Sequence, residues 1–199
     1  MALPSSGAIS LSAIASEFGD STPNSINEFY RGGSLVPNSS VNTNVPTSGQ
    51  ISFNDFYGAT DQLWSTTVTV GVFTISAPFG GGTIAQMFGF YDNTVGSNQL
   101  SGGMGSASDT TIDFYSGAAL GGIFTYVAND GASTTHLDFN VGGTISNSGF
   151  TSMSVAGTTF NRTDATHSQG NGLTVWRWSS IGSNPMGTSV GATKQVIFV

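Results

Sequence analysis

A short phrase near the start of the chain is written twice, and it limits what this part can fold into. Leu3-Pro4-Ser5-Ser6-Gly7-Ala8-Ile9-Ser10-Leu11-Ser12-Ala13-Ile14 returns as Val45-Pro46-Thr47-Ser48-Gly49-Gln50-Ile51-Ser52-Phe53-Asn54-Asp55-Phe56. The second half of the phrase occurs once more, as Ser25-Ile26-Asn27-Glu28-Phe29-Tyr30, close to Ser52-Phe53-Asn54-Asp55-Phe56-Tyr57. Each copy of such a repeat is expected to be one supersecondary unit that cannot bury its apolar face alone.

The physics of one copy can be read from its residues. Proline fixes φ, and the Ser-Ser-Gly or Thr-Ser-Gly after it is turn chemistry. Ser10, Ser25 and Ser52 carry the side chain of a helix N-cap, which accepts from an exposed N–H of the next turn. Glu28 stands three residues after Ser25, the spacing of a capping box. Leu11, Ile14, Ala15 and Phe18 fall on one helical face. Gly19 and Gly58 sit where a left-handed residue ends a helix. The sequence therefore predicts three helical turns, each too short to be stable alone. They should share one core built from Leu11, Ile14, Phe18, Ile26, Phe29, Tyr30, Phe53, Phe56 and Tyr57, forming a knot over residues 1–60.

The three segments, in this order and spacing, resemble an N-terminal module of virion structural proteins of tailed phages, of the kind frequent in phages of cyanobacteria and marine bacteria. The resemblance covers residues 2 to about 59. It implies a particle component whose first 60 residues dock onto the virion and whose partners are other phage structural proteins. It leaves open which part of the particle, because the module is joined to many downstream domains.

Only 8% of the 199 residues are charged, against about 25% in an ordinary globular chain. Gly, Ser, Thr and Asn fill the difference. A content of 38% hydrophobic residues, with 11% aromatic, is too high for a chain that stays open. The net charge is −7, and the four cations, Arg31, Arg162, Arg177 and Lys194, form no stripe. Nucleic acid is thus not an expected partner, nor is an anionic membrane surface. There is no cysteine, hence no disulfide and no thiolate metal site. The start lacks the basic and apolar regions of a secretory signal, and no apolar run reaches the length of a membrane span.

After a hinge at Gly58–Leu63, helix-cap signals stop and β-branched alternation begins. Strands are expected at Thr66–Val70, Thr83–Tyr91, Thr111–Tyr115, Gly122–Val127, His136–Val141, Phe150–Val155, Thr158–Phe160, Leu173–Trp178 and Lys194–Val199. Asn129-Asp130-Gly131 and Ala156-Gly157 read as hairpin turns. Short strands at regular spacing predict an antiparallel β-sandwich over residues 61–199. The fold class is therefore mainly β, with short helical turns confined to the first module. The last strand should pair inside a sheet. Loops 92–108 and 179–193, if they share one end of the sandwich, form the candidate contact surface.

Residues with chemical potential have plainer readings. His136 alternates with Leu137 and points outward as a solvated strand residue. Asp164, His167 and Ser168 are neighbours in one segment, whereas a triad converges from separate elements. Asp109, Asp113 and Asp138 show no glycosidase signature, and Asp92-Asn93 and Asn129-Asp130-Gly131 show no calcium-loop pattern. Trp176 and Trp178 share a face opposite Arg177 and read as core. No catalytic residue, metal ligand or cofactor is expected.

The sequence thus predicts a non-enzymatic virion protein, tail-associated as fibre, baseplate or appendage, acting as a homo-oligomer with a trimer as the working number. The sandwich would touch neighbouring subunits or a host-surface glycan. A capsid decoration or cement protein is the alternative, and a carbohydrate-active enzyme is the alternative from another class.

Overall fold

The computed structural model describes residues 2–21, 24–76, 83–97, 102–128 and 136–199. The chain divides into two compact units, one running through Trp64 and one from Ser65 to Phe198.

The first unit holds helix α1 (Leu11–Glu17) and single 3-10 turns at Ile26–Glu28, Ser40–Asn42 and Phe53–Phe56. Ser10, Ser25 and Ser52 are the N-caps of α1 and of the first and third turns, all with extended backbone. In the first, the Ala13 N–H donates to Ser10 Oγ at 3.1 Å. In the other two, the N–H groups of Ser25 and Ser52 donate to the carboxylates of Glu28 and Asp55, at 3.0 and 2.7 Å. This is the backward half of a capping box, available only where the third helical residue is acidic.

The second unit is a sandwich of two antiparallel sheets. Its strands are β1 (Trp64–Thr69), β2 (Gly71–Ser76), β3 (Thr83–Tyr91), β4 (Ser106–Ala107), β5 (Thr111–Ile112) and β6 (Ala118–Ala128). They continue as β7 (His136–Gly142), β8 (Ser152–Val155), β9 (Thr158–Asn161), β10 (Thr166–Gly170), β11 (Leu173–Ser179) and β12 (Thr193–Phe198). One sheet has the order β4-β1-β12-β8-β9; the other runs β10-β11-β7-β6-β3-β2, with β5 also paired to β6. The last strand lies between β1 and β8, so it is central and buried on its inner face.

Aromatic rings fill the space between the sheets. Phe139 and Trp176 come from β7 and β11, Phe198 from β12, and Phe150 from the segment before β8. Phe139 lies 5.3 Å from Trp176 and 4.7 Å from Phe198, and Phe150 lies 5.6 and 5.3 Å from the same two rings. Trp176 and Trp178 are buried and Arg177 points away, as alternation requires. The Ala156-Gly157 turn joins β8 to β9 with φ of 49° and 85°. Positive φ at both centres gives the twist that suits a tight hairpin.

Three features differ from the expectation. Thr111–Tyr115 is a strand only at Thr111–Ile112; Asp113–Tyr115 is a 3-10 turn ended by Ser116 at φ 54°. Its alternation comes from a turn that sets Phe114 against Phe198 at 5.4 Å. Strand β2 directly follows β1, because the chain switches sheets at Val70–Gly71. A Cβ on Gly71 would meet the Gly105 nitrogen at 2.1 Å, so only glycine allows the corner. Strand β10 is an edge strand of polar residues, exposed along most of its length, and it carries no hydrophobic alternation to read. The expected turn at Asn129-Asp130-Gly131 lies outside the described residues.

Candidate functional site

Two places carry candidate function: the repeat-built core of the first unit and a cleft on the seven-stranded sheet.

The core brings the copies together in register. Four residues after each capping serine stand Ile14, Phe29 and Phe56, and all three are 0% exposed. Phe18, Phe29 and Phe56, one from each copy, form a triangle of rings with centroids 6.1, 6.4 and 6.2 Å apart. Leu3 and Val45, the apolar residues before the two prolines, complete this interior with Val36 and Ala59. Leu11 and Ile26 are half-buried against it. Phe53, expected in the same core, is 42% exposed. Of the two phenylalanines of this 3-10 turn, Phe56 takes the interior against Phe18 and Phe29, and Phe53 is left at the rim. Tyr30 and Tyr57 are also only half-buried.

These tyrosines grip the turns of other copies. Tyr30 donates its hydroxyl to the Gly49 carbonyl, and Tyr57 donates to the Gly7 carbonyl at 2.6 Å. The next backbone N–H repeats the pattern: Arg31 donates to Pro46 O at 3.0 Å and Gly58 to Pro4 O at 3.1 Å. The second copy thus clasps the third, and the third clasps the first. Asn42, in the segment between the second and third copies, is 0% exposed. Its amide donates to Pro37 O and Thr60 O and accepts from the Thr60 N–H, so every bond is internal.

Nearby, Thr60 Oγ1 donates to Glu17 Oε1 at 2.9 Å, and the Asp61 N–H donates to the same oxygen at 3.3 Å. Burial, and then the Glu17 charge, hold the Asp61 carboxyl above its ordinary value of 3.8. A carboxyl raised in the folded state binds its proton more tightly folded than unfolded, so stability falls as pH rises from 3.8 through the raised value. Asp61→Asn is therefore expected to stabilise the first unit at pH 7 and to lose that advantage near pH 4. Thermal melts of the two proteins across this range check it.

The cleft, of about 560 Å3, lies on the outer face of the seven-stranded sheet, away from the sandwich core. Strand register sets its floor as a grid. His136 of β7 stands opposite Tyr126 of β6, Asp138 opposite Phe124, and Asn140 opposite Gly122. On the other side Arg177 of β11 stands opposite Asp138, and Val175 opposite Asn140. A polar column on β7 thus runs beside an aromatic column on β6. Tyr91 closes the end by meeting Phe124 edge to face at 5.5 Å.

The polar column contains a buried charge. The Asp138 side chain is 4% exposed and accepts from Arg177 Nε at 2.8 Å and Nη2 at 2.7 Å. These hydrogen bonds raise the Arg177 pKa further, against the opposing effect of burial. The His136 ring stacks on Tyr126 at 4.8 Å with an 8° interplanar angle, and its Nε2 stands 3.8 Å from Asp138. The expectation of a solvated His136 is corrected: its side chain is 14% exposed. Asn140 is 5% exposed and its Oδ1 accepts no hydrogen bond.

The remaining candidates do not converge. Asp164 accepts from Asn161 Nδ2, while His167 Nε2 meets the Ile145 carbonyl at 3.0 Å. Asp92 caps its own turn by accepting from Thr94. Among the described residues no group of three or more His, Asp or Glu gathers to hold a metal, and no helix is long and apolar enough to cross a membrane. The three arginines hold internal partners: Arg31 the Val45 carbonyl, Arg162 the Phe150 and Asn147 carbonyls, Arg177 the Asp138 carboxylate. Parts of both long loops reach one corner, Gly105 packing against Thr69 and Gly71 while Gly191 and Ala192 bond Val70.

No family model, curated protein or solved structure matches this chain.

Proposed function

We propose that the chain is a structural protein of a tailed-phage virion, tail-associated, with its first 60 residues as the docking plug and its sandwich displayed for contact with neighbouring subunits or the host surface. The observation that carries this reading is the shared interior of the three repeat copies, with each tyrosine clasping the turn of another copy. A plug of this kind presents a fixed shape, which is what insertion into a particle requires. Its sequence is also where the resemblance to phage virion modules lies.

The mechanism is non-covalent. Low charge leaves hydroxyl, amide and apolar contacts as the currency of assembly, and many copies supply avidity in place of individual affinity. A symmetric homo-oligomer, with a trimer as the working number, fits this use.

Antibody raised against residues 65–198 is expected to label the tail of particles whose genome encodes this chain, as seen by negative-stain microscopy. Label on the capsid shell would favour the decoration role and overturn the tail assignment. Absence of the protein from purified particles by mass spectrometry would sink both.

A further inference from the structure

We propose that the cleft on the outer face of the seven-stranded sheet binds a neutral hexose unit of a glycan. This names a ligand class for a site outside the docking plug, and it stands or falls independently of where the protein sits in a particle.

The first observation is unused hydrogen-bonding capacity in a dry place. An ionised carboxylate offers about four lone-pair sites, and Arg177 occupies two on Asp138. His136 Nε2, at 3.8 Å, is too far to take a third. Two residues along the strand, on the same face, Asn140 Oδ1 is buried and accepts nothing. A buried acceptor left unmade costs free energy, and a bound donor recovers it. The Arg177 guanidinium, half in water at 47% exposure, bonds Asp138 through Nε and Nη2, so its Nη1 donors are not used on Asp138. The cleft thus offers acceptors and donors side by side, the need met by adjacent hydroxyl groups that both donate and accept.

The second observation is the aromatic column beside these groups. Phe124 stands opposite Asp138 and Tyr126 opposite His136. Phe124 is 4% exposed and the His136 ring covers one face of Tyr126, so a sugar would meet this column at the half-buried Tyr126, with its C–H face there and its hydroxyl edge toward the polar column. Charge selects among sugars. Asp138 and Arg177 neutralise each other, so this pair leaves no surplus cation for a uronic or sialic acid. The cleft volume falls in the range of about 300–1,000 Å3 that holds small ligands.

The test uses the full chain and saturation-transfer NMR with methyl α- and β-glycosides of glucose, galactose and mannose, beside glucuronate and sialic acid. Transfer from the protein to at least one neutral glycoside is expected, strongest on one ring face. Tyr126→Ala and Asn140→Leu should each weaken that binding at least tenfold. Val175→Phe keeps every charge and hydrogen-bonding group of the floor and should block binding by filling the cleft. Circular dichroism and melting temperature show which variants fold, and Tyr30→Phe, in the other unit, should bind as the parent does. No transfer to any neutral glycoside, preference for the acidic sugars, or unchanged binding by a folded Val175→Phe protein would overturn the proposal.

Discussion

Replacing Phe56 with alanine is expected to cost about 4 kcal/mol, because a fully buried Phe→Ala change loses transfer energy and leaves a cavity. The cavity would open between Phe18 and Phe29, which meet the Phe56 ring at 6.4 and 6.2 Å. A unit of this size holds roughly 3–10 kcal/mol in all. The substitution therefore removes a large share of what keeps the first unit folded. Tyr57→Phe deletes only the hydroxyl bond to Gly7 and should cost about 1 kcal/mol. Calorimetry checks both: the variant should lose the transition of the first unit while residues 65–198 keep theirs. On the docking reading, Phe56→Ala protein is also left out of particles, and normal incorporation would show that the plug is not the anchor.

Trp176→Ala should damage the other unit by a similar amount, about 4 kcal/mol. Trp176 is 0% exposed and packs against Phe139 of β7 at 5.3 Å, Phe150 of the segment before β8 at 5.6 Å and Tyr115 of the 3-10 turn at 5.7 Å. Its indole N–H donates to Asn147 Oδ1 at 2.9 Å. That oxygen keeps a second donor, Arg162 Nη1 at 3.2 Å, so losing the indole does not orphan it. Most of the cost is then packing rather than hydrogen bonding. Trp176→Phe should accordingly recover more than half of the loss. Urea denaturation followed by far-ultraviolet circular dichroism measures this, and equal destabilisation by the two variants would show that the hydrogen bond matters more than the ring.

Local chemistry was legible in the sequence and long-range register was not. The capping serines could be named because a cap acts within three residues, and Glu28 and Asp55 do reach back to Ser25 and Ser52. Ile14, Phe29 and Phe56 could be placed inside for the same reason. The clasps of Tyr30 on Gly49 and Tyr57 on Gly7 span 19 and 50 residues, and no local pattern announces them. The cleft is the clearer case. His136, Asp138 and Asn140 alternate with Leu137, Phe139 and Val141, which reads as a wet face over a core. Only the strand order brings Arg177 against Asp138 and sets Phe124 and Tyr126 beside them. Strand β10 escaped because an edge needs no apolar alternation to belong to a sheet.

The bond from the Leu3 N–H to the Ala59 carbonyl, 2.8 Å long, ties the opening of the first unit to its close. Translation at roughly 5–20 residues per second puts several seconds between the emergence of these two ends. Throughout that interval Leu3, Ile14 and Phe18 lack the part of their interior that Phe56 and Ala59 supply, and that side stays open to chaperones and proteases. The interior of the repeat is therefore complete only once its last turn has left the ribosome.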